Sequence, residues 1–531
     1  MTTLGLEAVR RPGTVLGWAT IIGIVAFVAF PIAVLAWSLV DPSTNVWAEL
    51  WRTRLPGMII DTVTLLLAVV LGAVILGTGL AWLVSAHAFR GRRIIGWLLV
   101  TPLAIPGYVG GFVWLDTLSS VVGARGVRSL WLCAAVLVLS LYPYVYLFAR
   151  AAFADQGADT LAAARSLGAS PIATFFKVSL PAARPSIAAG AALVAMEVLT
   201  DIGTVRLFNV STIADGVMRV WFGTGDRGAA TELAGALTGA ALVLIAIERL
   251  SRRGVRRSRR AAEATMTPRV LSLPAQTFAI ATSVVVLAIA VGVPLVRLVG
   301  WSVESVRNNT AVTVAGGVGH HAFNTLLMTA LAAVVCIVLG IVLAIMVAHR
   351  GRVAHALGRL STVGYAMPGP VVAVGAVVTL AAIDRRSWLP DGFLLVGSVA
   401  GLVFALVVRF FAVGYQGVEA SLDRVPPAAV ESARVLGAGP LRTSLSVELP
   451  AARFGILAAA ALLSVDIIKE LPITLLLRPF GVDTLSVWVW QATSESLWAQ
   501  AAVPSLIMVA VGMVAVGALL VALERGAEVI S

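Results

Sequence analysis

Twelve stretches of this chain stay apolar for about 20 residues or more, and no other feature limits its fold so tightly. Their approximate bounds are 15–40, 59–86, 94–118, 129–150, 186–205 and 229–247, then 275–300, 322–348, 354–382, 392–410, 453–477 and 501–523. Backbone N–H and C=O groups find no water inside a bilayer, so a spanning segment is either a helix or part of a closed barrel. Barrel strands alternate polar and apolar residues over about ten positions. The runs here are continuous and longer, which predicts an all-α polytopic membrane protein with about 12 transmembrane helices. Composition agrees. Charged residues make up 12% and hydrophobic residues 59%, with a mean hydropathy of +0.96. A soluble domain carries about 25% charged residues, so a string of soluble domains is excluded. The hydrophobicity also excludes disorder. Cys133 and Cys336 are the only cysteines. Both lie in apolar runs, where a thiol acts as a small hydrophobe, and a disulfide scaffold is excluded.

The first run follows Arg10 and Arg11, as a signal peptide would. Its length of about 25 residues exceeds the 7–15 of a signal core, so it reads as a retained helix. The net charge of +12 would suggest nucleic acid in a soluble protein. In a membrane protein it reflects Lys and Arg gathered in cytoplasmic loops, and no nucleic-acid partner is expected. With the N-terminus inside, about 26 of the 39 Lys and Arg fall in cytoplasmic loops or helix ends. Reversing the topology reverses that bias, so both termini are expected in the cytoplasm. The densest basic stretch runs from Arg249 to Arg260. It marks a linker over 249–270 suited to anionic lipid headgroups, between a first half at 1–248 and a second at 271–531.

The halves resemble each other. Residues 164–184 read ARSLGASPIATFFKVSLPAAR and residues 433–453 read ARVLGAGPLRTSLSVELPAAR, identical at 13 of 21 positions. Upstream, Pro106-Gly107 matches Pro368-Gly369 and Arg90-Gly91-Arg92 matches Arg350-Gly351-Arg352. Six spans per half place both copies in the same orientation, a parallel duplication about an axis normal to the membrane. A transport path would run between the halves. Each repeated segment falls in a cytoplasmic loop, at about 155–185 and about 420–452, between the fourth and fifth spans of its half. Gly168 and Gly437 allow a tight reversal between short helices. Pro181 and Pro450 pre-set the start of the next element.

These loops resemble the signature of the permease subunits of binding-protein-dependent ABC importers of the type I fold: E-A-A, three residues, G, nine residues, I-x-L-P. The first copy falls on Ala162, Ala163, Ala164, Gly168, Val178, Leu180 and Pro181. The second falls on Glu431, Ser432, Ala433, Gly437, Val447, Leu449 and Pro450. Ala162 departs from the motif Glu, and Ser432 from the motif Ala. The stretches YPYVYLFARAAF at 142–153, MEVLTDIGTVRLF at 196–208 and KELPITLLLRPFGVDTL at 469–485 are similar to the fused, twelve-span ferric-iron permeases. The resemblance implies a bacterial inner-membrane permease whose loops dock two copies of a separate ABC ATPase subunit. Residues Ala164, Arg165, Leu167, Gly168, Leu180 and Pro181 would serve one copy. Glu431, Ala433, Arg434, Gly437, Leu449 and Pro450 would serve the other. Short helices around Leu167–Phe175 and Leu436–Ser444 would enter the ATPase grooves, and a solute-binding protein would deliver cargo from outside. ATP and Mg would belong to the partner. Neither Lys177 nor Lys469 sits in a G-x-x-x-x-G-K-[ST] loop, so the chain binds no cofactor of its own and is not the ATPase.

Ionisable residues within apolar spans mark a pathway or a paired contact. Glu197 and Asp201 occupy the fifth span; Asp466, Lys469 and Glu470 occupy the eleventh. The repeat matches Glu197 with Asp466 and Asp201 with Glu470, each pair at i,i+4 on one helix face. One reading is a translocation path with a net charge of about −3, suited to a hard cation such as Fe(III). The other is buried ion pairing, Asp466 with Lys469, that holds helices in register. Gly203 and Pro472 follow the acids and would either break each helix at the path or merely end it. Tyr142, Tyr144 and Tyr146 are either a packed stripe or hydroxyls offered to the path. His320 and His321 sit in an expected external loop with no second ligand pair nearby, so no metal site is assigned. Ferric iron is the expected cargo. Thiamine, an aminophosphonate or a polyamine is the alternative within the class, and an ion-gradient-driven secondary transporter the alternative outside it.

Overall fold

A computed structural model describes residues 12–38, 46–154, 170–223, 225–251, 268–308, 310–348, 350–386 and 394–530, with single positions 156, 166 and 168. Most of the linker, Ala164, Arg165, Leu167 and His349 lie outside the described residues. The first half contains α1 (Pro12–Ser38), α2 (Leu55–Ala86), α3 (Gly107–Val122), α4 (Leu130–Ala154), α5 (Ile172–Thr200), α6 (Gly203–Leu207), α7 (Ile213–Gly223) and α8 (Arg227–Ser251). The second contains α9 (Leu273–Arg307), α10 (Thr310–Ala348), α11 (Gly369–Asp384), α12 (Val399–Leu422), α13 (Pro440–Ile468), α14 (Pro472–Leu477), α15 (Leu485–Ser494) and α16 (Trp498–Ile530). Each helix of the first half thus has a counterpart eight labels later.

Nine helices among the described residues are long and apolar enough to cross a membrane. A bent pair, Arg92–Ala104 with α3, folded by 90° at Ile105-Pro106, makes a tenth if it is counted as one span. That count covers the described residues alone: the expected span at 229–247 lies on α8, some of whose side chains fall outside them, and α11 has only 16 residues. The expected ninth span at 354–382 is interrupted in the same way as the third, with extended backbone at Met367-Pro368 before α11 begins. In each half the Pro forces the residue before it out of helical geometry. The expected eleventh span at 453–477 is broken after Ile468, and the expected fifth at 186–205 after Thr200.

Within each half, the second, fourth and fifth helices pack together: α2 with α4 and α5, and α10 with α12 and α13. The first helix crosses to the other half. Helix α1 lies on α11 and α12, and α9 lies on α3. One apolar core therefore joins Ile21, Val28 and Leu35 of α1 with Leu199 of α5, Leu233 of α8, Val371 of α11 and Phe410 of α12. On α4, the turn from Tyr142 to Tyr146 is clasped by two glycines. A Cβ on Gly77 would lie 2.8 Å from the Tyr142 carbonyl oxygen, and one on Gly190 would lie 2.8 Å from Val145 Cα. Such approaches are what small residues permit between membrane helices.

The Leu-Pro ends of the repeated loops do not start new elements. Helices α5 and α13 run through Pro181 and Pro450 without a break, each with a π turn just before, at Phe175–Ser179 and Ser444–Glu448. Helix α9 repeats the pattern, with a π turn at Ala288–Gly292 before Pro294. Proline removes one N–H and crowds the carbonyl four residues back; the wider turn relieves that clash.

Candidate functional site

The two broken helices meet at the contact between the halves. Around them lies a cavity of about 490 Å³, open space at its mouth included. It is lined by Glu197, Thr200, Asp201, Arg409, Asp466, Lys469 and Glu470, together with the Pro106-Gly107 bend and Tyr108. All five ionisable residues singled out in the spans converge here. Arg409 joins them from the middle of α12. Four carboxylates against two cations give the lining a formal charge of −2, not the −3 expected without Arg409. An arginine between Val-Val and Phe-Phe is the signal that reveals it in the sequence, because such a charge in an apolar run demands a partner.

The four acids have separate tasks. Asp201 closes the break after α5: its Oδ1 accepts the N–H groups of Thr204 at 2.8 Å and Val205 at 3.1 Å, and its Oδ2 accepts the Thr204 hydroxyl at 2.7 Å. These are the orphan donors of α6, satisfied as a capping carboxylate satisfies them. Glu470 does the same for α14, accepting the Ile473 N–H at 3.0 Å. Its other oxygen lies 3.4 Å from Arg409 Nε. Asp466 Oδ1 accepts the Tyr144 hydroxyl at 2.9 Å and lies 2.9 Å from Lys469 Nζ. The ammonium in turn donates to the Tyr144 oxygen at 3.0 Å. Asp466 Oδ2 is buried with no partner. Glu197 lines the cavity and makes no hydrogen bond or ion pair with the described residues. Three of the acids thus hold helices in place, and Glu197 faces the cavity with no side-chain hydrogen bond to the described residues.

At the charged cavity, Tyr144 and Thr200 tie the halves together. Tyr144 of the first half holds Asp466 and Lys469 of the second. Thr200 of the first half accepts Arg409 Nη2 at 3.4 Å and the Gly369 N–H at 3.3 Å from the second. Of the three tyrosines on α4, Tyr146 donates to the Gly96 carbonyl at 2.9 Å and Tyr142 OH has no partner, so Tyr144 is the one that bonds the charged group. No three His, Cys, Asp or Glu side chains among the described residues lie close enough to hold a metal ion. His320 and His321 belong to α10 and not to a loop. His321 stacks edge-on against Trp488 and lies 3.8 Å from Asp483.

The second repeated loop shows how its glycine works. Helix Pro427–Val435 ends in a Schellman turn: Gly437 N–H bonds Arg434 O and Ala438 N–H bonds Ala433 O, both at 3.0 Å, with Gly437 at φ +83°. That conformation is open to Gly and strained for other residues. Gly168 has φ +79° at the matching place. Residues 436–439, expected as part of a short helix, form the turn, and helix resumes at Pro440. Glu431 and Arg434 are exposed, Ala433 and Leu449 half-buried, and Pro450 exposed. Leu180 and Pro181 are half-buried at the root of α5. The turn presents apolar side chains to solvent: Val435 and Leu436 are each 87% exposed, and Leu441 and Leu445 are exposed beside them. In the first loop Ile172 and Phe176 are exposed likewise.

A duplicated membrane bundle with a charged cavity between its halves, and with matching glycine turns on the repeat, defines a polytopic permease. Comparison with known proteins makes this specific. The model of the family described as binding-protein-dependent transport system inner membrane component matches residues 73–308 and again 336–529, and the chain belongs to that family. A ferric-iron transport system permease protein of Haemophilus influenzae is 27% identical over 87% of this chain and 88% of its own. A molybdate/tungstate transport system permease protein of Pyrococcus furiosus is 28% identical over 35% of this chain and 72% of its own. A sulfate transport system permease protein of Salmonella typhimurium is 30% identical over 38% of this chain and 77% of its own. The protein is a permease subunit of an ABC importer, with the family's unit present twice in one chain.

Proposed function

We propose that this permease imports ferric iron, with cargo passing between the halves by alternating access. The observation that carries the reading is the acid excess of the cavity, four carboxylates against Lys469 and Arg409. A site of formal charge −2 attracts a hard cation that prefers oxygen ligands. It repels the dianions sulfate and molybdate, whose named permeases align with little more than a third of this chain. The relative named for Fe(3+) aligns with most of it.

The exposed apolar side chains at Val435, Leu436, Leu441 and Leu445, and at Ile172 and Phe176, offer docking surfaces for two copies of an ABC ATPase subunit. ATP and Mg act there, since this sequence has no P-loop lysine. A solute-binding protein supplies cargo at the outer face. Both termini lie in the cytoplasm of a bacterial inner membrane, and segment 249–270 links halves 1–248 and 271–531 along the anionic lipid surface.

The test is uptake of radiolabelled Fe(III) by cells with and without this chain, with molybdate, sulfate, thiamine and an aminophosphonate as competitors. Loss of uptake on deletion, insensitive to all four, supports the assignment. Unchanged uptake in a strain with no second iron system removes iron as the cargo.

A further inference from the structure

The repeat pairs Glu197 with Asp466, but the structure treats them differently. Asp466 is 2% exposed at its side chain and shares Oδ1 between the Tyr144 hydroxyl and the Lys469 ammonium, while its Oδ2 is left without a partner. Glu197 lines the same cavity, within Coulombic reach of Lys469 and Asp466. Lys469 is the more accessible member of its pair, 16% exposed, and lines the cavity as well. Its Nζ lies 2.9 Å from a carboxylate oxygen and 3.0 Å from a phenol oxygen. Those are the surroundings of a cation bound by hard ligands. On the opposite side of the pseudo-axis the matching position is Thr200, whose hydroxyl is engaged by Arg409 and Gly369. Only one side therefore carries a positive charge on a flexible stem.

We propose that Lys469 is a tethered counter-cation standing in the transfer site, and that a hard, oxygen-seeking cation displaces it to gain Asp466, Glu197 and the Tyr144 hydroxyl as ligands. The proposal rests on the cation reading above. It accounts for the unpartnered Asp466 oxygen, which is a ligand atom idle in the resting arrangement. It also explains how an acidic cavity can accept a highly charged ion and still release it. The displaced ammonium stays within the length of its own four-carbon stem. It competes for the same oxygens as soon as the cargo loosens.

The test uses the permease with its ATPase subunits in lipid nanodiscs, without a binding protein, and Tb(III) as the probe. Lys469→Gln is expected to tighten Tb(III) binding by about tenfold or more, because it removes a unit charge beside the ligands. Adding Asp466→Asn should abolish that gain. Unchanged affinity in Lys469→Gln, or a gain that survives Asp466→Asn, overturns the proposal. Should Lys469→Gln fail to assemble, Glu197→Gln decides the matter with Lys469 in place. Glu197 makes no hydrogen bond with the described residues, so the change is structurally mild. It should weaken Tb(III) binding by about tenfold, and unchanged binding overturns the proposal. A Tb(III) gain without iron uptake keeps the cation site and discards iron. Iron uptake without the gain keeps iron and discards the stand-in.

Discussion

The buried pair Arg409–Glu470 sets a quantitative test of the cavity. Its side chains are 6% and 3% exposed, so solvent screens them little, and the nearest N and O lie 3.4 Å apart. Two unit charges about 4 Å apart at an effective dielectric of about 20 attract by roughly 4 kcal/mol. Arg409→Met alone strands the Glu470 carboxylate. Glu470→Gln alone strands a guanidinium whose Nε and Nη1 already lack hydrogen-bond partners. Each single change should cost about 3–5 kcal/mol, the usual loss when one partner of a buried pair is removed. The double change strands nothing. Gln at 470 can still accept the Ile473 N–H that starts α14, and Met fills most of the arginine volume. It should cost about 1 kcal/mol, leaving a coupling energy of several kcal/mol. The double variant also keeps the lining at its formal −2, so transport should survive in it. The assay is reversible unfolding in mixed SDS micelles followed by tryptophan fluorescence, run on all four corners of the cycle. A double variant as unstable as the sum of the singles would refute the pairing and with it the described geometry of the cavity.

Gly437→Trp should uncouple ATP hydrolysis from uptake while leaving insertion intact. No atom of this chain lies within 4 Å of a Cβ built at Gly437, and φ +83° strains any side chain placed there, so the change both obstructs and reshapes the exposed turn; normal uptake would remove the docking assignment. Gly190→Ala should cost about 1–3 kcal/mol in the same unfolding assay, since overpacking pushes α5 from α4 at the turn that carries Tyr144. His87 lies beyond the end of α2, where the two-residue bridge of His87–Ala88 with Arg269–Val270 ties it to the approach to α9. Burial, then the charges of Arg269 and Arg92, pull its pKa below the ordinary 6.5. The unfolded chain thus takes up the proton first, and stability present above pH 6.5 is lost as pH falls further. Thermal scans from about pH 7.5 to about 5.5 should show a drop in wild type that His87→Gln reduces.

How much of this was legible in the sequence follows from what each feature depends on. The duplication and the loop glycines were legible because they are local: Gly437 needs a left-handed turn wherever its neighbours lie. The matched acids were legible because the repeat aligns Glu197 with Asp466. Their division of labour was not, since it depends on where Thr204, Ile473 and Tyr144 stand once the helices have broken and packed. Arg409 was missed because a span drawn to end at residue 410 placed it at a boundary, while the helix continues to Leu422. The interrupted spans were missed for the opposite reason: hydropathy averages across Pro106 and Pro368 and does not register a bend.

Helices α5 and α13 run without interruption from Ile172 and Pro440 into the charged cavity, which they line with Glu197, Thr200 and Asp466. Each has 29 residues, about 43 Å at 1.5 Å per residue. Such a rod converts angle into distance. A tilt of about 5° about the loop end would carry the far end through about 4 Å. That is more than the length of the Tyr144–Asp466 hydrogen bond, so a small rotation at the turn is enough to separate the two halves at their charged contact. The loop glycines and the intramembrane acids, 29 to 33 positions apart in the chain, are opposite ends of a single lever.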